Sequence, residues 1–146
     1  VDGVLTDGGF WWGPNGEEWK RFSFADVMGI SLARKAGFVF ALISGEDTPL
    51  IDRYAERMGI ADVWKGSKQK ARALEEFAER RGFDLTSICF MGDDVNDLEA
   101  MRIAGLSAAP SNARPAVLAA ASFVSTCPGG NGAVRDLVDT ILAARQ

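Results

Sequence analysis

The segment Gly92-Asp93-Asp94-Val95-Asn96-Asp97 packs three carboxylates into six residues, directly after the apolar run Ile88-Cys89-Phe90-Met91. Two carboxylates held about 4 Å apart repel by roughly 4 kcal/mol at an effective dielectric near 20, so adjacent acids in a crevice call for a cation. The chain has no histidine, and its two cysteines, Cys89 and Cys127, fit no metal or redox spacing. The natural guest is then a hard, oxygen-seeking ion such as Mg²⁺. Without histidine the Ser-His-Asp and Cys-His arrangements are excluded, and acid–base chemistry falls to carboxylates and lysines. Three further groups could join such chemistry. Asp2 sits in the glycine-punctuated turn Val1-Asp2-Gly3-Val4-Leu5-Thr6-Asp7-Gly8-Gly9. Ser44-Gly45-Glu46 offers a hydroxyl and backbone amides to a phosphate-sized anion. Lys70 closes the stretch Lys65-Gly66-Ser67-Lys68-Gln69-Lys70 and could offset the charge of a transferring phosphoryl group. Each has a simpler reading: a helix cap for the acids and for Ser44, a first-turn acid for Glu46, solvated lysines for the rest.

The elements between these residues decide which reading holds. Residues 87–91 are too short and too rich in β-formers for a helix, and Leu98, Met101, Ile103 and Leu106 then follow at helix-and-strand spacing. Asp93 and Asp94 thus fall in a strand-to-helix turn, where ligands bind in open parallel sheets. Phe10-Trp11-Trp12, the turn Pro14-Asn15-Gly16 and the arm from Glu17 to Phe24 predict an aromatic β-hairpin, serving as a lid or a subunit contact. Asp26 is expected to cap a helix that ends at Gly37, followed by a buried strand over Phe38 to Ile43. A helix to about Met58, a strand at Gly59 to Trp64, and a helix opening near Lys70 and closing at Arg80-Arg81-Gly82 come next. Beyond Asp97 the pattern predicts a strand at Leu106 to Ala109, a helix from about Ala113, a small strand at Phe123 to Ser125, the turn 128–132 and a last helix to Ala144. Strands alternating with helices at this pace imply an α/β fold with one parallel sheet covered on both faces. Right-handed crossovers then bring Asp2, Ser44, Lys70 and Asp93 to one edge.

Composition narrows the class. The chain has 146 residues, 47% of them hydrophobic, and a formal net charge of −4. That size suits one domain over residues 1–146, and the negative charge with no basic run argues against nucleic acid as a partner. No apolar run approaches the roughly 20 residues of a membrane span. The expected setting is the cytoplasm, with both thiols reduced and free.

Val1-Asp2-Gly3-Val4-Leu5-Thr6-Asp7-Gly8, Ser44-Gly45, Lys70 and Gly92-Asp93-Asp94-Val95-Asn96-Asp97 resemble, in order, the four motifs of the haloacid dehalogenase superfamily. More narrowly they resemble its capless sugar-acid phosphatases, which act on 3-deoxy-manno-octulosonate 8-phosphate or on nonulosonate 9-phosphates. The likeness runs through the aromatic hairpin and the stretch 129–135. It implies a Rossmann-like three-layer sandwich with a central parallel sheet, a hairpin flap and no cap domain. It also implies a Mg²⁺-dependent phosphatase working through an aspartyl-phosphate. By the same resemblance Asp2 is the general acid, its carbonyl also meeting the metal, Ser44 and Lys70 hold the phosphoryl group, Asp93 ligates Mg²⁺, and Asp94 and Asp97 support it. Gly45, Glu46 and Asp26 are expected at the substrate. The nucleophilic aspartate of such enzymes lies two positions before Asp2, whereas this sequence begins one position before it; the nucleophile and its strand are expected to precede Val1. Related proteins suggest a homotetramer in which a neighbour closes the crevice, with Trp11, Trp12 and the Gly129 turn taking part. Glu46 resembles the nine-carbon branch and tilts the expectation toward a nonulosonate 9-phosphate, although Tyr54 and Arg57 match that branch only in part. The competing class is a non-catalytic oligomerisation or regulatory module associated with nucleotide-sugar synthesis.

Overall fold

The computed structural model describes all 146 residues. The aromatic hairpin pairs β1 (Trp11–Trp12) antiparallel with β2 (Glu18–Trp19), Trp11 opposite Trp19. Helix α1 (Phe24–Lys35) follows, then β3 (Ala41–Ile43), α2 (Pro49–Met58), β4 (Asp62–Trp64) and α3 (Lys70–Arg81). The second half runs β5 (Cys89–Met91), α4 (Leu98–Ile103), β6 (Leu106–Ala109), α5 (Pro115–Ala120), β7 (Phe123–Val124) and α6 (Ala133–Ala144). Local chemistry sets the helix ends. Thr48 accepts from the Leu50 N–H and Pro49 takes the first helical position of α2, while Gly59 and Gly82 close α2 and α3 in the left-handed conformation.

The architecture is α/β, with helices on both faces of parallel strands. Ile30 and Ala33 of α1, Ile51 and Ala55 of α2 and Val134 and Val138 of α6 form one apolar layer. Leu74 and Phe77 of α3, Met101 of α4 and Val117 of α5 form the other. In the first layer Gly29 lets α6 approach closely: a Cβ there would stand 3.0 Å from the Cα of Arg135. No cap domain interrupts the order of elements, and no helix is long and apolar enough to cross a membrane.

The parallel strands pair in two groups. β3 pairs with β4, and β5–β6–β7 form the second piece. Between them lies an apolar cavity of about 430 Å³, lined by Leu5, Ile30, Phe40, Leu42, Phe90 and other hydrophobic side chains, with Asp97 among its few polar walls. At the start of the chain Val1–Leu5 form a turn, the Leu5 N–H donating to the Val1 carbonyl at 2.8 Å.

Several expected boundaries move. α1 begins at Phe24 and its N-cap position is Ser23, so Asp26 lies inside the helix. The strands before α2 and α3 are shorter than the apolar runs that signal them. Glu46 lies three residues ahead of α2, whose first-turn acid is Asp52. Both cysteines are free.

Candidate active site

The start of α3 and the turn after β5 meet where the two strand pieces face each other. Lys70, first residue of α3, donates to Asp97 Oδ1 at 2.7 Å, and both side chains are largely buried. The other oxygen of Asp97 accepts the backbone N–H groups of Asp93 (2.9 Å) and Asp94 (3.3 Å). Asp97 therefore fixes the turn that carries Asp93 and ties it to α3 in one step. Asp94 caps the short 3₁₀ turn Val95–Asp97 by accepting from the Val95 N–H at 2.7 Å, and its far side faces Arg114 at 3.8 Å.

Charge is distributed unevenly here. Burial alone would raise the Asp97 carboxyl, but the Lys70 ammonium and the two backbone donors outweigh it and hold Asp97 below its ordinary value. Asp93 moves the other way. Burial, with the negative charges of Asp97 and Asp94 beside it, pushes its carboxyl up to about 6, against the opposing pull of Lys70. A carboxylate destabilised in this way is one that a cation would relieve.

The N-terminal turn supplies the opposite wall. Gly3 has φ +79°, and a Cβ there would stand 1.9 Å from Asp93 Oδ2, so only glycine allows the carboxylate to lie against this backbone. Gly130, with φ +71°, backs the same turn and donates to the Val4 carbonyl at 3.0 Å. The backbone nitrogen of Val1 is buried in the field of Lys70, Asp97, Asp2 and Asp93. Asp2 does not touch Asp93; its Oδ1 accepts from Lys20 Nζ at 2.7 Å.

No three carboxylates, cysteines or histidines come together as a closed metal cage. A hard divalent cation such as Mg²⁺ takes one or two carboxylates and keeps positions for water and phosphate. Asp93, raised by its neighbours and pressed against the Gly3 backbone, is the side chain suited to it.

Ser44 lies at the C-terminal end of β3, 3% exposed, with its hydroxyl oxygen accepting from the Glu46 N–H at 3.1 Å. It shares the strand-end edge with the acidic turn but makes no hydrogen bond to it. Of the three clustered lysines, Lys65 faces outward to Asp52 at 2.5 Å and Asp47 at 3.3 Å. Lys68 donates to the Gly45 carbonyl at 2.9 Å. Lys70 alone enters the acidic cluster.

One expectation is corrected here. Asp26 has no exposed surface, and its carboxylate accepts from the N–H groups of Gly132 (3.4 Å) and Arg135 (3.0 Å). It caps α6, not α1, and offers nothing to a substrate. Tyr54 is core, 5% exposed and stacked on Phe22 at 4.6 Å. Two participants went unnoticed in the sequence: Gly3, whose part is played by its missing side chain, and Lys20. A lysine on an aromatic hairpin arm carries no spacing signal that links it to an acid 18 residues away.

Comparison with known proteins gives the family of the chain. Residues 27–136 match the family model of haloacid dehalogenase-like hydrolases. The chain is 34% identical to the 3-deoxy-D-manno-octulosonate 8-phosphate phosphatase of Escherichia coli K12, over 99% of this chain and 77% of that protein. The crystal structure of the Yersinia pestis phosphatase of the same name superposes with a TM-score of 0.97 at 34% identity, covering 99% of this chain and 78% of that one. The Moraxella catarrhalis phosphatase, solved with magnesium, phosphate and the sugar acid KDO, superposes with a TM-score of 0.92 at 31% identity over 100% of this chain and 90% of that one.

Proposed function

The chain belongs to the haloacid dehalogenase-like hydrolases and is a phosphoric monoester hydrolase, and we propose that it is a Mg²⁺-dependent phosphatase of a 2-keto-3-deoxy sugar-acid phosphate. The observation that carries this reading is the pairing of an uncompensated Asp93, packed against Gly3, with the Lys70–Asp97 clamp beside it. Structural ion pairs balance their charges; this turn keeps an excess of negative charge that a metal and a phosphoryl group together complete.

In this reading Asp93 and the Asp2 carbonyl hold the ion, which supplies charge neutralisation and alignment for the phosphoryl group. Ser44 donates its hydroxyl to a phosphoryl oxygen while its own oxygen stays anchored by the Glu46 amide. Lys70, oriented by Asp97, offsets the charge on the transferring group. Asp97 and Asp94 keep Asp93 aimed by fixing the backbone that carries it. Asp2 protonates the departing alkoxide oxygen as its bond to phosphorus breaks. The mechanism calls for a nucleophilic aspartate two positions before Asp2.

The sequence similarity to the E. coli and Yersinia phosphatases favours the eight-carbon octulosonate 8-phosphate as substrate. The nine-carbon nonulosonate 9-phosphate is the second reading, supported by Glu46: its exposed side chain lies outside α2 next to Ser44-Gly45. The exposed Trp11, Trp12 and Trp19 of the hairpin, at 58%, 73% and 52%, suit a subunit contact of the homotetramer proposed here. The setting proposed is the cytoplasm.

The test follows phosphate release by the full-length protein, with and without Mg²⁺, from eight- and nine-carbon keto-acid phosphates. Magnesium-dependent release with an eight-carbon preference is expected. A nine-carbon preference moves the assignment to the second reading, and no release from any ester by the folded, magnesium-loaded protein overturns the phosphatase assignment to these substrates.

A further inference from the structure

Lys20 reaches the site from the hairpin arm. It follows β2 directly, only 6% of its side chain is exposed, and its Nζ donates to Asp2 Oδ1 at 2.7 Å. A second carboxylate, Glu18 Oε2, stands 3.9 Å away. Both carboxylate partners are partly exposed, Asp2 at 30% and Glu18 at 32%, and pairs of this kind contribute little to stability. The arrangement does have a geometric result. One oxygen of Asp2 is held, so the side chain cannot rotate freely and its second oxygen points in a defined direction.

We propose that Lys20 is a positioning residue for Asp2: by binding Oδ1 it leaves Oδ2 to deliver the proton to the leaving oxygen. The inference rests on the phosphatase reading and adds a residue to it. In the step it serves, the carboxylate nucleophile that the phosphatase mechanism calls for forms its bond to phosphorus as the phosphorus–oxygen bond to the leaving group breaks. The electron pair of that bond goes to the departing oxygen, and the proton on Asp2 Oδ2 passes to it, leaving Asp2 as a carboxylate. Lys20 stays hydrogen-bonded throughout and exchanges no proton. Because Lys20 is on the hairpin arm, displacement of the flap carrying Trp11, Trp12 and Trp19 also displaces the anchor of Asp2.

Leaving-group dependence separates this role from a merely structural one. A sugar-acid phosphate releases an alkoxide and needs the proton, whereas p-nitrophenyl phosphate releases a stable phenolate and scarcely needs it. The experiment measures kcat/KM of the full-length protein on 3-deoxy-manno-octulosonate 8-phosphate and on p-nitrophenyl phosphate, for the parent, Lys20→Met, Lys20→Arg and Lys65→Met. Positioned general-acid catalysis is worth about 10²–10⁴-fold, so Lys20→Met is expected to lower the alkyl-to-aryl ratio by roughly tenfold or more. Lys20→Arg, which keeps a donor, restores part of the ratio, and Lys65→Met, on the outer surface, leaves it unchanged. The ratio is read on the same folded fraction for both esters, so partial misfolding of a variant does not alter it. Equal losses on the two esters, or a larger loss on the aryl ester, overturn the role of Lys20 while leaving the phosphatase reading intact. A parent inactive on both esters brings down that reading and this inference with it.

Discussion

Helix α3 carries a buried carboxylate–cation cluster at each end, and the two are built to opposite specifications. At its C-terminal end Asp62, 3% exposed, accepts from Arg81 Nε at 2.8 Å and Arg80 Nη1 at 3.2 Å. Arg80 also lies over the Trp64 ring at 4.6 Å. One carboxylate there meets two guanidinium groups. At the N-terminal end Lys70 meets Asp97, and Asp93 and Asp94 remain beside the pair with no cation of their own except the distant edge of Arg114. The first cluster is saturated and holds β4 to α3. The second keeps negative charge in excess inside a partly buried turn, a state that costs stability unless something positive binds. The same residue types on one helix thus separate into a brace and a binding site by charge balance alone.

The comparison breaks most visibly under substitution at the two ends. Lys70→Ala and Asp93→Asn are each expected to lower kcat/KM by about 10³-fold or more while the circular dichroism spectrum stays native. Arg81→Ala is expected to do the reverse. It removes one of two partners from the buried Asp62 and should cost about 1–3 kcal/mol in urea unfolding, less than the full cost of an unpaired buried charge because Arg80 remains and both arginines are partly exposed. Its kcat/KM should stay within about twofold of the parent, as expected of a surface change away from the site. Activity lost on Arg81→Ala with unchanged stability would reverse the assignment of the two ends.

Smaller effects sharpen the contrast. Asp93→Asn removes the uncompensated charge, so the metal-free variant should melt about 2–5 °C above the metal-free parent. Saturating Mg²⁺ should abolish or reverse that gap. The difference also depends on pH. The Asp93 carboxyl is raised from its ordinary 3.8 to about 6, so the folded state holds this proton more tightly than the unfolded chain. The penalty is full above pH 6 and fades as pH falls from 6 toward 4. The melting gap between the metal-free proteins should therefore be largest at pH 7 and narrow by pH 5. Asp26, raised chiefly by burial, acts with the same sign but is common to both proteins and cancels. Asp97, held below its ordinary value, contributes stability that is lost only in more acidic solution.

Much of the site was legible because its parts are local. Asp93, Asp94 and Asp97 follow a strand run and precede a helix, and chain geometry alone puts them in one turn; Lys70 opens a helix whose apolar spacing is clear. What stayed hidden depends on contacts between distant segments. Asp26 has the chemistry of a helix cap, and it is one, but for α6, whose first N–H groups lie more than a hundred residues away in sequence. The simpler reading of Glu46, a first-turn helical acid, fails because α2 begins only at Pro49, after its N-cap Thr48. Lys20 could not be connected to Asp2 without the hairpin that swings it back.

The central claim is that the unsaturated end of α3 binds a divalent cation through Asp93 and the saturated end does not. Its most direct test is the melting temperature of the full-length parent, Asp93→Asn and Arg81→Ala as Mg²⁺ is raised, since a ligand of the native state stabilises by RT ln(1 + [L]/Kd), about 2.7 kcal/mol at one hundred times Kd. The account predicts that the parent and Arg81→Ala rise together with Mg²⁺ while Asp93→Asn stays flat. An Asp93→Asn protein that rises in parallel with the parent would place the cation elsewhere and contradict the account.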